Sequence, residues 1–156
     1  MIWIIIIIIA LILDQLSKFL VINNIGLGVS NAVIENFFYL TYVRNKGAAW
    51  SILQNGRYFF LIITPIILAV LGFYLTKSKN KLLNISISFI IGGAIGNYID
   101  RLFRVSVVDF LEFHFGSYIF PIFNIADCFI VVGTFLLGYY LIFLHKDNNE
   151  EKIEAE

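Results

Sequence analysis

Before His145 the chain carries six acidic residues, and four of them are aspartates: Asp14, Asp100, Asp109 and Asp127. Each lies within or beside a long apolar segment, where an ionised carboxylate costs several kcal/mol unless it is paired or shares a proton. Their neighbours are spaced for pairing. In GGAIGNYIDR (92–101), Asn97 and Asp100 are three apart and share a helix face. FNIAD (123–127) repeats that spacing with Asn124 and Asp127, and DQLSK (14–18) puts Lys18 one turn beyond Asp14, as an internal ion pair would require. Asp109, in VSVVDFLEF (105–113), stands between Val108 and Phe110. Read as extended, that segment turns Asp109 and Leu111 one way and Phe110 and Glu112 the other. Poor hydration there raises a carboxyl pKa unless a partner offsets it.

Two carboxylates within hydrogen-bonding reach cannot both ionise, so one keeps a proton and the pair titrates as a unit. Such a pair can hold a water molecule, take its proton as it attacks a peptide carbonyl, and polarise that carbonyl with the protonated member. This is aspartic peptidase chemistry. Asp109 with Asp127 is the favoured couple, because both flank the same short loop; Asp100 with Asp127 is the competing one. Plainer roles compete as well. A carboxylate in the first turn of a helix, as Asp127 would be, complements the helix dipole. Glycines 92, 93 and 96 suit close helix packing, and Arg101 can snorkel toward headgroups.

Other chemistries find little support. One cysteine, Cys128, and two histidines, His114 and His145, exclude a disulfide framework and leave too few soft ligands for a zinc site. Neither histidine is placed to activate Cys128, which reads as a small buried hydrophobe. Ser17 and Lys18 are helix neighbours that diverge by about 100° and do not face each other. HExxH, GxSxG and glycine-rich phosphate motifs are absent from the sequence, and no cofactor or metal is expected.

The elements that must position these groups are membrane helices. Of the 156 residues, 60% are hydrophobic and 14% charged, with mean hydropathy +0.87, outside the range of soluble domains. The net charge is zero, so nothing points to nucleic acid. Four segments reach the roughly 20 apolar residues a span needs, at about 2–22, 58–76, 82–100 and 123–144. The first lacks a basic leader and a small-residue cleavage site, so it reads as a retained helix. KSKNK (77–81) has three lysines and no acid, and under the positive-inside rule it faces the cytoplasm. Both termini then lie on that side and the loops at about 23–57 and 101–122 face outward, carrying Arg44, Lys46, Arg57, Arg101 and Arg104. The first loop is rich in β-branched and aromatic residues over 32–53, as short strands on the membrane surface would be. The charged tail, 147–156, reads as disordered. The expected fold class is all-α: a membrane domain over 1–146 with four transmembrane helices and a small extracytoplasmic β-cradle.

The boxes DQLSK (14–18), YVRNKGAAWSIL (42–53), GGAIGNYIDR (92–101), VVDF (107–110) and FNIAD (123–127) resemble those of bacterial lipoprotein signal peptidase, in order and across nearly the whole chain. The resemblance implies an inner-membrane aspartic peptidase with both termini cytoplasmic and its site at the outer membrane interface. It implies removal of the signal peptide of prolipoproteins just before the diacylglyceryl-modified cysteine. By the same resemblance the catalytic pair is Asp109 and Asp127. Residues that shape the site and meet substrate correspond to Asp14, Asn45, Asn97, Asp100, Arg101 and Asn124. Trp50 stands where many members have phenylalanine, and Cys128 where small or polar residues are common. The implied partners are the lipid-modified substrate and membrane lipid, with the enzyme a monomer.

Two other classes fit intramembrane acids, a transporter or proton-relay subunit and a non-catalytic scaffold. A relay calls for acids at the bilayer midplane and broken helices, whereas most acids here sit at one end of the spans. No internal repeat is evident either.

Overall fold

The structure, a computed structural model, describes residues 2–47 and 56–144, and in them four helices are long and apolar enough to cross a bilayer. They are α1 (Ile2–Asn24), α2 (Arg57–Lys77), α3 (Lys81–Ile99) and α4 (Ile125–Tyr139). Wider π-helical turns extend α3 over Asp100–Arg104 and α4 over Tyr140–Leu144. Expected and observed spans agree to within a few residues. The tail at 147–156, and Trp50 with its neighbours over 48–53, lie outside the described residues.

Which face each helix buries follows from its side chains. On α1, Ala10, Asp14, Lys18 and Val21 are buried, and their spacing of four, four and three is one helix face. Ile4, Ile5, Ile8 and Ile12 are exposed on the molecule's outside, as lipid-facing residues would be. Helix α3 lies between the others and buries Asn84, Ser88, Gly92, Gly93, Gly96 and Asn97. Its glycines permit that: a Cβ on Gly93 would collide with the backbone carbonyl of Ala126 in α4, and one on Gly96 with the Asp14 carboxylate. Helix α2 packs on α3 and buries no residue fully.

The all-α expectation needs correction. A four-stranded antiparallel sheet joins the ends of the helices, in the order β1 (Ser30–Ile34), β2 (Phe38–Asn45), β3 (Val107–Phe115) and β4 (Tyr118–Ile119). The strands expected in the first loop pair with a long strand from the second. The register sets Val43 opposite Asp109 and Asn45 opposite Val107, with an irregularity between Leu40 and Val43. Val108 and Phe110 of β3 bury with Tyr42 and with Val21 of α1 in a small apolar core. Period-two alternation turns Asp109 to the other face of β3. Entry to β3 is strained: Val105 has φ +70°, rare for a β-branched residue, where the chain leaves the π-helical turns.

Three of the five arginines and lysines assigned to the outer loops belong to helices instead. Arg57 opens α2 and donates to the carbonyls of Arg101 (2.8 Å) and Leu102 (3.1 Å), which the end of the third span leaves without helical partners. Arg101 is held within the fold: its guanidinium lies 4.4 Å from the Phe60 ring centroid and donates to the carbonyls of Gly47 (3.1 Å) and Asn97 (3.3 Å). Arg104 donates to Gln15 (3.0 Å) and to Asp100.

Candidate active site

Asp109 and Asp127 come together because the chain entering α4 pairs with β3. Leu111 and Phe123 form an antiparallel bridge, and the Phe123 carbonyl accepts from the amides of both Phe110 and Leu111. Asn124 follows at once as the N-cap of α4. Its side chain accepts from Asp127 N (3.0 Å) while the Asp127 carboxylate accepts from Asn124 N (3.1 Å), a reciprocal capping box. The helix-end role for Asp127 is therefore present, and it uses only one carboxylate oxygen. The other accepts from Asn97 Nδ2 at 2.8 Å.

Asp109 is almost fully buried, with both oxygens occupied by amides: Asn45 Nδ2 at 2.9 Å and Asn124 Nδ2 at 2.6 Å. Asn45 reaches it from β2, two residues along from Val43 on the same sheet face, the diagonal position of an antiparallel pair. Burial, and then the neighbouring charge of Asp127, push the Asp109 carboxyl up to about 6 despite those two hydrogen bonds.

Both aspartates face a half-enclosed cleft of about 590 Å³, whose polar wall is completed by Asn45, Asn97 and Arg101. Its other wall is apolar, formed by Phe120, Phe123 and the α4 face of Ile130 and Val131. Asn124 lies fully buried behind the two aspartates.

Asp14 and Asp100 are elsewhere. Both are fully buried and neither lines the cleft, so the structure does not offer them to a substrate. Lys18, also fully buried, lies 2.9 Å from Asp14 Oδ2 and 3.0 Å from Asp100 Oδ2. Asp100 Oδ1 meets Arg104, and Gln15 donates to Asp14 (3.0 Å) and to the Gly96 carbonyl (3.1 Å). The expected internal Asp14–Lys18 ion pair forms, and a second carboxylate, Asp100, joins it. Asp100, tied to Lys18 and Arg104 and outside the cleft, does not share it with Asp127 as Asp109 does. The sequence carries no pairing signal for Gln15 beyond its being a polar residue inside an apolar run.

Cys128 is half-buried in the cleft wall, more accessible than expected, with Sγ donating to the Asn124 carbonyl (3.3 Å). His114 is held by Glu112 (2.6 Å) and stacked on Tyr39. Among the described residues no three His, Cys, Asp or Glu side chains gather closely enough to hold a metal.

Four apolar helices with a carboxylate-lined cleft where they meet a small sheet define a multi-pass membrane protein with a polar site. Comparison with known proteins narrows this. Residues 6–143 match the family described as signal peptidase (SPase) II. The lipoprotein signal peptidase of Bacillus pumilus is 49% identical over 140 residues, 88% of this chain and 90% of that protein. A bacterial membrane enzyme solved at 2.3 Å superposes with TM-score 0.84 at 38% identity, covering 94% of this chain and 90% of its own. A second, solved at 1.9 Å, gives TM-score 0.82 at 39% identity, with 91% and 93% covered. The chain belongs to the signal peptidase II family, whose members cleave signal peptides from prolipoproteins. That assignment does not favour the transporter reading.

Proposed function

We propose that this protein is an aspartic peptidase in which Asp109 and Asp127 share one proton and hold the attacking water. The observation that carries this is their common cleft, with each carboxylate fixed by two neutral donors and neither, among the described residues, neutralised by a direct ion pair. The ionised member takes a proton from water as its oxygen bonds to the scissile carbonyl carbon. The protonated member donates to the carbonyl oxygen, and a proton then passes to the leaving amine as the C–N bond breaks. Arg101, facing the same cleft, supplies positive charge where the oxyanion develops.

The substrate reading is a prolipoprotein cut immediately before its diacylglyceryl-modified cysteine. The cleft supports it by being polar toward the sheet and apolar along α4, suiting a peptide bond that enters with acyl chains still in lipid. With 77–81 cytoplasmic, the cleft sits at the outer membrane interface.

The test is a cleavage time course on a diacylglyceryl prolipoprotein in detergent. Asp109→Asn and Asp127→Asn should each abolish cleavage, and the double variant should be hardly worse than either, because members of one catalytic unit are strongly non-additive. Asp100→Asn should keep partial activity, down about tenfold to a hundredfold, as other supporting residues do. Near wild-type cleavage by Asp109→Asn or Asp127→Asn would rule the mechanism out.

A further inference from the structure

Three asparagines present amide N–H groups to the two aspartates, and an amide can be reversed, so something must decide which end faces the carboxylate. In each case a group that can only donate occupies the carbonyl oxygen. The Asn45 oxygen accepts from Gly47 N (2.8 Å), and the Asn124 oxygen from Asp127 N. These two locks are backbone and local. The third is neither: the Asn97 oxygen accepts from Lys18 Nζ at 2.9 Å, across from α1, and from Asn124 Nδ2 at 3.2 Å.

We propose that Lys18 is a positioning residue for the aspartate pair, a buried donor-only cation that fixes the Asn97 amide with its NH2 toward Asp127. An ammonium has three protons and no acceptor, so only the amide oxygen can face it. All three protons have partners here, in Asp14, Asp100 and Asn97. The two carboxylates that accompany Lys18 reach the same pair by another route. Asp14 Oδ1 accepts from Ala126 N (3.0 Å), the residue before Asp127, and Asp100 Oδ2 accepts from Val108 N (3.1 Å), the residue before Asp109. The cluster of Lys18, Arg104, Asp14 and Asp100 is neutral as a whole, so it orients without imposing net charge beside the cleft. This role explains why a fully buried lysine sits in an apolar helix without reaching the site: it acts through Asn97.

The inference rests on the dyad reading, and its test keeps the two separable. Steady-state cleavage is measured for Lys18→Gln, Asn97→Ala and their combination, well below each melting temperature, with Asp127→Asn alongside. Glutamine can present either end to Asn97, so the shorter, donor-only contact is lost and only the longer one from Asn124 Nδ2 (3.2 Å) still favours that orientation, while polar partners remain. Lys18→Gln should lower kcat at least tenfold with KM within about twofold. On top of Asn97→Ala it should cost no more than about a further twofold, because the amide it orients is gone. A folded Lys18→Gln with kcat within twofold of wild type, a change confined to KM, or losses that multiply in the combined variant each overturn the proposal. If Lys18→Gln yields no folded protein, Lys18→Gln/Asp100→Asn restores the formal charge balance of the cluster and is compared with Asp100→Asn alone. A further tenfold loss in kcat supports the role, and equality overturns it. Cleavage by Asp127→Asn would instead sink the dyad reading itself.

Discussion

The buried Asp109 carboxyl ties folding stability to pH. Its carboxyl pKa stands at about 6 against an ordinary 3.8, from burial first and the nearby Asp127 charge second. The folded state therefore holds its proton more tightly than the unfolded chain does. Between those two values the unfolded chain loses the proton first, so folding stability falls as pH rises, by about 3 kcal/mol for a shift of this size. Asp109→Asn has no such proton to lose. The melting-temperature difference, variant minus wild type in detergent, should grow in the variant's favour from pH 4 to about 6 and level off above about 7. The constant effect of altered hydrogen bonds from Asn45 and Asn124 cancels in that slope. A difference independent of pH would show that Asp109 titrates as an ordinary surface carboxylate.

Helix contacts set the distance between these side chains, and the critical ones involve glycine. Gly93 faces the Ala126 carbonyl and Ile130, so an added Cβ pushes α4 away from α3 one residue before Asp127. Gly93→Ala should cost about 1–3 kcal/mol, in the range of overpacking, and should lower kcat by moving Asp127 from Asn97. Among the described residues nothing lies within 4 Å of the missing Cβ of Gly72 in α2, so Gly72→Ala should leave melting temperature and cleavage unchanged. Equal behaviour of the two variants would remove the argument that the α3–α4 contact holds the site. The helices themselves were legible in the sequence, because apolar runs of that length have one economical conformation in lipid. The sheet was only half legible. Strand-forming residues marked β2, but pairing with β3 joins positions some seventy residues apart, and no local signal encodes that. The Asn124–Asp127 and Asp14–Lys18 contacts could be read because they are one helical turn apart. The contacts of Lys18 with Asn97 and Asp100 depend on how α1 and α3 pack, so spacing alone left Asp100 as a rival partner for Asp127.

At the scale of the whole molecule, the sheet and the cleft lie at one end of the four helices, and the α2–α3 connection at the other. Helices of about 20 residues separate them, about the thickness of a bilayer. Which end faces out decides whether a lipid-modified substrate on the outer leaflet can reach the cleft. The three lysines of 77–81 argue that their end is cytoplasmic, whereas Arg57, Arg101 and Arg104 weigh little against it, being tied to carbonyls and carboxylates within the fold. Site-directed labelling reads the orientation directly, in a Cys128→Ala background. Lys79 is the better probe position at the lysine-rich end, because its neighbour Asn80 caps α3 by accepting from Leu83 N at 3.1 Å. Ser117, exposed in the turn between β3 and β4, reports on the other end. In intact cells a membrane-impermeant thiol reagent should label Ser117→Cys and spare Lys79→Cys, and both should react once the membrane is permeabilised. Labelling of Lys79→Cys with protection of Ser117→Cys in intact cells would put the cleft on the cytoplasmic side, where this substrate reading fails even if the dyad chemistry holds.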